Sequence, residues 1–473
     1  MLRARLAFRL LPPALALTAF LAPSAQAASE GISGNRALGG AKEALAIATQ
    51  SPGDGQTVSG PITWQVAVSG GTPSRVDFAV DGTVKSSRTT SPYTFGGSGG
   101  TLDTTALSDG SHSLTATAYG PRGVKATTRV TVTVSNGALE PALEPLPDQG
   151  PGGPVYWGAT IGTQLTGNQA PWDMTAVTRF EEMTHKSASL IQFFQPFANC
   201  SSSPCSFYSF PTTPLENVRQ HGAIPVLSWS SQSIPSSLNE PNFQLSDVIE
   251  GRYDTYIRSF ATAAKNWGHP FFLRFDWEMN GNWFPWSEGV NGNKSGEFVA
   301  AWRHVHDIFT SVGATNATWV WCPNVDWNNN VQSLASMYPG DAYVDWTGLD
   351  GYNWGTNPAQ PGGWKTFDQI YRSTYRYIVE SIAPSKPLMI GEVASSEYGG
   401  SKATWIREML TKVPAEYRKI RALLWFDKFD SSMDWPIETS SGATAAFAEG
   451  IQSPAYASDT FSGLGANAVQ PAS

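Results

Sequence analysis

Cysteine and histidine are both scarce in this chain of 473 residues, with three of the first and six of the second. No C-x-x-C pair and no H-E-x-x-H run occurs, and His304 and His306, two apart in a helix-patterned segment, point to different faces. The usual zinc frameworks are therefore excluded, and neither a metal nor a cofactor is expected. Basic residues are few as well: 31 Lys and Arg stand against 39 Asp and Glu, a formal net charge of −8, with no basic run in the body of the chain. That leaves no positive face for a nucleic acid. Long apolar runs are missing too. The stretch from Leu10 to Ala22 is interrupted by Pro12 and Pro13 and falls short of the ~20 residues that span a bilayer. Tryptophan is almost absent from the first third, since of 18 only Trp64 precedes residue 150.

What is present begins with a leader. Arg3, Arg5 and Arg9 precede the apolar stretch, and Ala25-Gln26-Ala27 follows it as a small-x-small site, so residues 1–27 read as a secretory signal peptide. Cleavage near Ala27 removes three arginines and no acid, which takes the charge from −8 to −11. The product is expected to be secreted, extracellular, monomeric and free of the membrane. Cysteine usage fits an oxidising exterior. Cys200 and Cys205 bracket a short polar segment and are expected to form a disulfide, whereas Cys322, in the apolar run Trp319 to Pro323, reads as a small buried hydrophobe.

With 41% apolar and 15% charged residues the chain can build more than one core. Residues 48–136 alternate with period two in short runs (Ile62 to Val68, Val76 to Val80, Ser113 to Ala118, Arg129 to Val134), punctuated by Gly71, Asp81-Gly82, Gly99-Gly100 and Asp109-Gly110. This is the pattern of an antiparallel sandwich. Through its stretch Leu107-Ser108-Asp109-Gly110-Ser111-His112-Ser113-Leu114-Thr115-Ala116 the segment resembles a bacterial immunoglobulin-like module, which implies a spacer rather than a sugar-binding role. A linker follows over 137–153, where Ala-Leu-Glu-Pro occurs twice, at 138 and at 142.

Over 154–461 apolar runs alternate with helical stretches. Strands are expected at Val155 to Ile161, Ser189 to Phe194, Ile224 to Trp229, Phe271 to Trp277, Trp319 to Cys322, Trp346 to Tyr352, Leu388 to Val393 and Ala422 to Phe426. Between them lie segments such as Gly296 to Val312, whose Phe298, Trp302, Val305 and Phe309 share one helical face. Eight such units point to an α/β fold, the (β/α)8 TIM barrel; a doubly wound sheet is the alternative, but Gly158 to Gly162 lacks the phosphate-binding glycine spacing expected after its first strand.

Catalytic groups in that fold sit at the C-terminal ends of the strands. The fourth strand ends Leu273-Arg274-Phe275-Asp276-Trp277-Glu278, and the seventh ends Leu388-Met389-Ile390-Gly391-Glu392. Strict alternation puts Arg274, Asp276 and Glu278 on one face, and Leu388, Ile390 and Glu392 on another. Glu278 and Glu392 would then face each other across the mouth, as glycosidic cleavage requires: one protonated acid and one ionised carboxylate. Asp276 is expected to pair with Arg274.

The run Glu278-Met279-Asn280-Gly281-Asn282-Trp283-Phe284 resembles the acid/base segment of glycoside hydrolase family 26, and Pro387 to Ala394 resembles its nucleophile segment. Asp350-Gly351-Tyr352-Asn353 and Leu424-Trp425-Phe426-Asp427 extend the likeness, which covers about 154 to 455. It implies a retaining double displacement on a polysaccharide, with Glu278 as general acid/base, Glu392 as nucleophile and Tyr352 hydrogen-bonded to that nucleophile. It also implies that Trp425 is the platform under the sugar at the cleavage point, with Trp283, Trp286, Trp229, Trp354 and Asn280 extending the substrate contacts. Trp302 and Trp405, at helical spacing, are expected in the core. Family mannanases carry His before the acid/base Glu, where this chain has Trp277. The substrates implied are therefore β-mannan or mixed-linkage β-glucan, with β-1,3-xylan as a third. Asp276-Trp277-Glu278 also matches the end of a chitinase pattern, but Arg274 stands where that pattern wants an acid. A glycan-binding protein that kept the barrel and lost the chemistry is the alternative from another class.

Overall fold

The structure, a computed structural model, describes residues 45–97, 100–107, 110–134, 146, 149–150, 152–326, 330–357, 363–430, 433–458 and 461–472. The expected leader over 1–27, most of the linker at 137–153, and the turn residues Gly99 and Asp109 lie outside these. The chain divides into two compact units on either side of Leu143. Among the described residues no helix is long and apolar enough to cross a membrane.

The N-terminal unit is an Ig-like assembly of strands. Ala46–Ser51, Gln65–Ser69 and Tyr93–Thr94 make one sheet; Thr57–Val58, Lys125–Val134, Gly110–Tyr119, Arg75–Val80 and Thr83–Arg88 make another, in that order. Their inward residues alternate with exposed ones, so that Val130, Val132 and Val134 are buried while Arg129, Thr131 and Thr133 are exposed. The core of this unit is centred on Trp64, which packs edge-on against Phe78 at 4.9 Å and stacks on Phe95 at 5.6 Å.

The second unit is a closed barrel of eight parallel strands. They are β1 (Val155–Ile161), β2 (Leu190–Asn199), β3 (Ile224–Ile234), β4 (Phe271–Phe275), β5 (Ala317–Trp321), β6 (Trp346–Asn353), β7 (Leu388–Ser395) and β8 (Ile420–Asp427). Closure comes from β8 pairing with β1, Tyr156 opposite Ala422 through Ile161 opposite Asp427, and from β1 pairing with β2. Each strand is buried almost throughout because helices cover the outside while the interior is filled with side chains. The longer helices are α1 (Met174–Thr184), α2 (Thr212–His221), α3 (Asp254–Trp267), α4 (Glu297–Val312), α5 (Phe367–Tyr377), α6 (Lys402–Glu416) and α7 (Ser441–Ile451), with a 3-10 turn, Val331–Met337, between β5 and β6. On α4 the expected stripe of Phe298, Trp302, Val305 and Phe309 is buried, and Trp405 of α6 is core as expected.

Past α7 the chain crosses the end of the barrel where the strands begin. The Val469 amide donates to Thr318 Oγ1 at 2.7 Å, its carbonyl accepts from Trp346 Nε1 at 2.9 Å, and the Gln470 carbonyl accepts from Tyr156 OH at 3.1 Å. Those three partners belong to the starts of β5, β6 and β1, so this segment closes the floor and leaves the opposite end as the open mouth.

Candidate active site

The mouth is built on departures from regular strand geometry. The ladder of β4 stops at Phe275, two residues earlier than the apolar run suggests. Asp276 and Glu278 then adopt left-handed backbone, with φ of 41° and 52°. Such values are rare for residues with a side chain and cluster at functional sites. The Asp276 amide still donates to the Trp229 carbonyl (3.1 Å) and that of Glu278 to the Cys322 carbonyl (2.8 Å), so the segment is strapped between β3 and the end of β5.

This geometry overturns the expected pairing of Arg274 with Asp276. The Asp276 carboxylate turns to β3 and accepts from the amide of Ser231 at 2.8 Å and its hydroxyl at 2.7 Å. Arg274 reaches across the interior instead. Its Nη1 donates to Glu392 Oε1 at 2.7 Å, and its Nη2 is paired with Asp350. Burial opposes the guanidinium charge, but Asp350, Cys322 and Glu392 outweigh it and raise its pKa further.

Glu392 also departs from strict alternation. The β6–β7 register shifts between Leu349 and Asp350, so that Ile390 lies beside Leu349 and Glu392 beside Asp350. Ile390 and Glu392 therefore do not share a face, and the bulge at Gly391 turns the carboxylate inward. A side chain at Gly391 would meet Asp350 Oδ1 at 2.7 Å and the Arg274 guanidinium at 3.2 Å, so glycine is required there. Glu392 Oε2 accepts from the Tyr352 hydroxyl, whose pKa burial and then the Glu392 charge hold well above the phenol range. Tyr352 thus stays a proton donor to the carboxylate.

Glu278 faces this group. A carboxylate oxygen of Glu278, one of Asp350 and one of Glu392 all lie within 4.8 Å of one another. Among the described residues this is the one group of acids spaced to hold a metal, and the positive charge within it is that of Arg274. Glu278 Oε1 accepts from Asn324 Nδ2 and Oε2 from Trp283 Nε1, both at 2.7 Å. Burial, followed by the Glu392 charge, pushes its pKa up to about 7. One carboxyl is therefore poised to hold a proton, while its neighbour bears a guanidinium and a phenol.

The other expected site residues separate into two sets. Trp283 remains at the mouth, 36% exposed, and can fold back over Glu278 because a side chain at Gly281 would strike its ring at 2.5 Å. Trp354 is half-buried beside Tyr352 at 5.8 Å and Trp435 at 4.9 Å. Trp425, by contrast, cannot be the platform. It is fully buried on the outward face of β8, against Trp405 and Phe447 of the helical layer. Its neighbour Phe426 turns inward and sits edge-on to Tyr352 at 5.8 Å. Trp229 is likewise sealed under α3, stacked on Phe260 at 4.2 Å. Trp286 is buried too, stacked on Phe284 at 4.3 Å with its Nε1 donating to the Trp277 carbonyl. Asn280 uses both ends of its amide on the backbone of Asn324, so it orients the residue that donates to Glu278. The Cys200–Cys205 disulfide is formed and Cys322 is buried, its thiol donating to Asp350 Oδ1 at 3.1 Å.

Sequence reasoning missed Asn324, Phe426 and Trp435, and gave Arg274 the wrong partner. For Phe426 the signal existed in the Trp-Phe pair at the end of β8, where one aromatic must face in if the other faces out. Trp277 lines the wall, its ring 5.1 Å from the Arg274 guanidinium and 5.2 Å from Phe194.

Comparison with known proteins matches residues 212–386 to the family described as Glycosyl hydrolase family 26, and residues 46–116 to Bacterial Ig domain. Endoglucanase H of Acetivibrio thermocellus is 34% identical over 297 residues, covering 62% of this chain and 30% of that protein. A mannan endo-1,4-beta-mannosidase of Bacillus subtilis is 27% identical over 225 residues, covering 46% of this chain and 57% of that one. The match thus spans less than two thirds of either relative. Among solved structures, the catalytic domain of the Bacillus sp. JAMB-750 GH26 endo-beta-1,4-mannanase superposes with a TM-score of 0.50 at 16% identity, over 67% of this chain and 89% of that one, a likeness of fold.

Proposed function

We propose that this chain hydrolyses the backbone of a β-linked polysaccharide by double displacement, with Glu392 as nucleophile and Glu278 as acid/base, in keeping with the match of residues 212–386 to glycosyl hydrolase family 26. The observation that carries this reading is the closeness of two carboxyls in opposite electrostatic settings. One oxygen of Glu278 and one of Glu392 lie within 4.8 Å, which supports the close spacing of retaining enzymes, ~5–5.5 Å between carboxyls, over the ~6.5–9.5 Å of inverting ones. Arg274 and Tyr352 hold and aim Glu392 by hydrogen bonds, while burial keeps the proton on Glu278 near neutrality. In the first step Glu392 attacks the anomeric carbon as Glu278 protonates the leaving oxygen. In the second, Glu278 takes a proton from water, which displaces Glu392.

For the sugar, mixed-linkage β-glucan and β-mannan both fit, and glucan is favoured by one feature. Trp277 presents an indole against Arg274 and Phe194 where family mannanases have a histidine, so this wall is apolar. Exposed Trp172, Trp283, Tyr398 and Phe429 follow β1, β4, β7 and β8 around the mouth, as suits attack within a long chain. Action outside the cell is supported by the Cys200–Cys205 disulfide.

The test is the release of reducing ends from barley glucan, mannan and β-1,3-xylan. Glucan is expected to be cleaved fastest, and no release from any of them would remove the hydrolase reading. Glu392→Ala should abolish turnover of an activated aryl glycoside, with azide restoring it. Glu278→Ala should retain most activity on good leaving groups only, and equal loss on good and poor ones would contradict the acid role.

A further inference from the structure

Beneath the β7–β8 side of the mouth lies a lysine with no place in the chemistry above. Lys402, the first residue of α6, is fully buried. Its Nζ donates to the carbonyls of Asp434 (2.5 Å), Trp435 (3.0 Å) and Pro436 (2.7 Å) and to Thr439 Oγ1 (3.0 Å). Three consecutive carbonyls and a hydroxyl converging on one point form the oxygen cage expected around a metal cation, and here an ammonium fills it. Four acids surround that charge: Glu397 after β7, Asp427 at the end of β8, and Asp434 and Glu438 in the caged segment itself. Asp434 Oδ2 accepts the Glu397 amide at 2.9 Å, and Glu397 accepts from Ser440 Oγ at 2.6 Å, which ties the two loops together around the lysine.

The cage holds more than itself. Trp435, whose carbonyl is one of the ligands, lies 5.0 Å from the Tyr352 ring and 4.9 Å from Trp354, and its carbonyl also accepts from Trp425 Nε1 at 3.1 Å. Tyr352 in turn donates to Glu392 Oε2. A packed line thus runs from the ammonium through the Trp435 indole to the phenol on the nucleophile.

We propose that Lys402 is a positioning residue: its ammonium serves as a built-in cation that sets the 434–439 segment, and through Trp435 and Tyr352 fixes the hydrogen bond on Glu392. This rests on the hydrolase reading above, but it has a readout that does not. In the full chain, Lys402→Met and Trp435→Leu are each expected to lower kcat at least tenfold while KM changes less than threefold. The double variant is expected to be no worse than the poorer single one, because both act along one line. Each single variant is also expected to lose near-UV circular dichroism from the Tyr352, Trp354 and Trp435 cluster. Losses in kcat that multiply in the double variant, or a fall that appears only in KM, would overturn the proposal. If Lys402→Met does not fold, Thr439→Val, which removes one ligand, replaces it in the same cycle. Should the wild type cleave none of the polysaccharides, the spectrum decides: unchanged aromatic bands in Lys402→Met or Thr439→Val would overturn the role of Lys402, whereas the missing turnover would overturn the hydrolase reading alone.

Discussion

Arg274 is the residue on which the site's electrostatics turn. Its side chain is wholly buried, and it is shared between Asp350 and Glu392, with Glu278 near enough to feel both. Removing one partner of a buried ion pair leaves an uncompensated charge, so Arg274→Met should destabilise the barrel by about 3–5 kcal/mol as read from urea unfolding. A loss within about 0.5 kcal/mol, the range of ordinary surface substitutions, would mean that the charges are not dependent on it. The same arithmetic gives a pH limb. Glu278 must carry a proton to assist the leaving group, and its pKa is raised to about 7, so kcat/KM on an unactivated glycan should fall as pH rises through 7. In Glu278→Gln that limb should vanish along with most of the activity, and persistence of the limb would assign it to another group. Both carboxyls were legible from the sequence because strand ends at the mouth of a barrel select few acids. The partner of Arg274 was not, since nothing in Arg-Phe-Asp announces that Asp276 takes a φ of 41° and leaves the face that alternation assigns it.

At the scale of the element, what matters is which way each strand presents its aromatics. Parallel strands covered on both sides have little period-two signal, so eight apolar runs reveal the barrel without revealing which residues face in. β8 shows the consequence: Phe426 lies beside Tyr352 and Trp425 lies among helices, the reverse of what the motif implied. The bulge at Gly391 makes the same point for β7, where the carboxylate reaches the interior by an irregularity that no periodicity encodes. Trp425→Ala and Trp229→Ala should therefore behave as core truncations, costing about 3–5 kcal/mol of stability with KM little changed. A large rise in KM with unchanged unfolding would return either residue to the substrate groove. Phe426→Ala should show the opposite balance.

For the whole molecule, the two units were separable in the sequence by tryptophan usage and by the change from period-two runs to strand-helix alternation, and the described strands follow that division. What could not be read was the closing of the barrel floor, because the segment after Phe461 has no periodicity and gains its order only from Thr318, Trp346 and Tyr156 on three different strands. Deleting residues 461–473 should lower the melting temperature, by about 2–4 °C for each kcal/mol lost, and should leave the active-site pKa values in place. An unchanged melting temperature would show that the floor is closed without it. The most direct test of the chemistry is to trap the glycosyl-enzyme with a 2-deoxy-2-fluoro glycoside of the sugar that is cleaved and to map the adduct by mass spectrometry. Double displacement by this site puts the added sugar on Glu392, within the peptide spanning Leu388–Ser395; an unmodified Glu392, together with products released first in the inverted anomeric form, would contradict it.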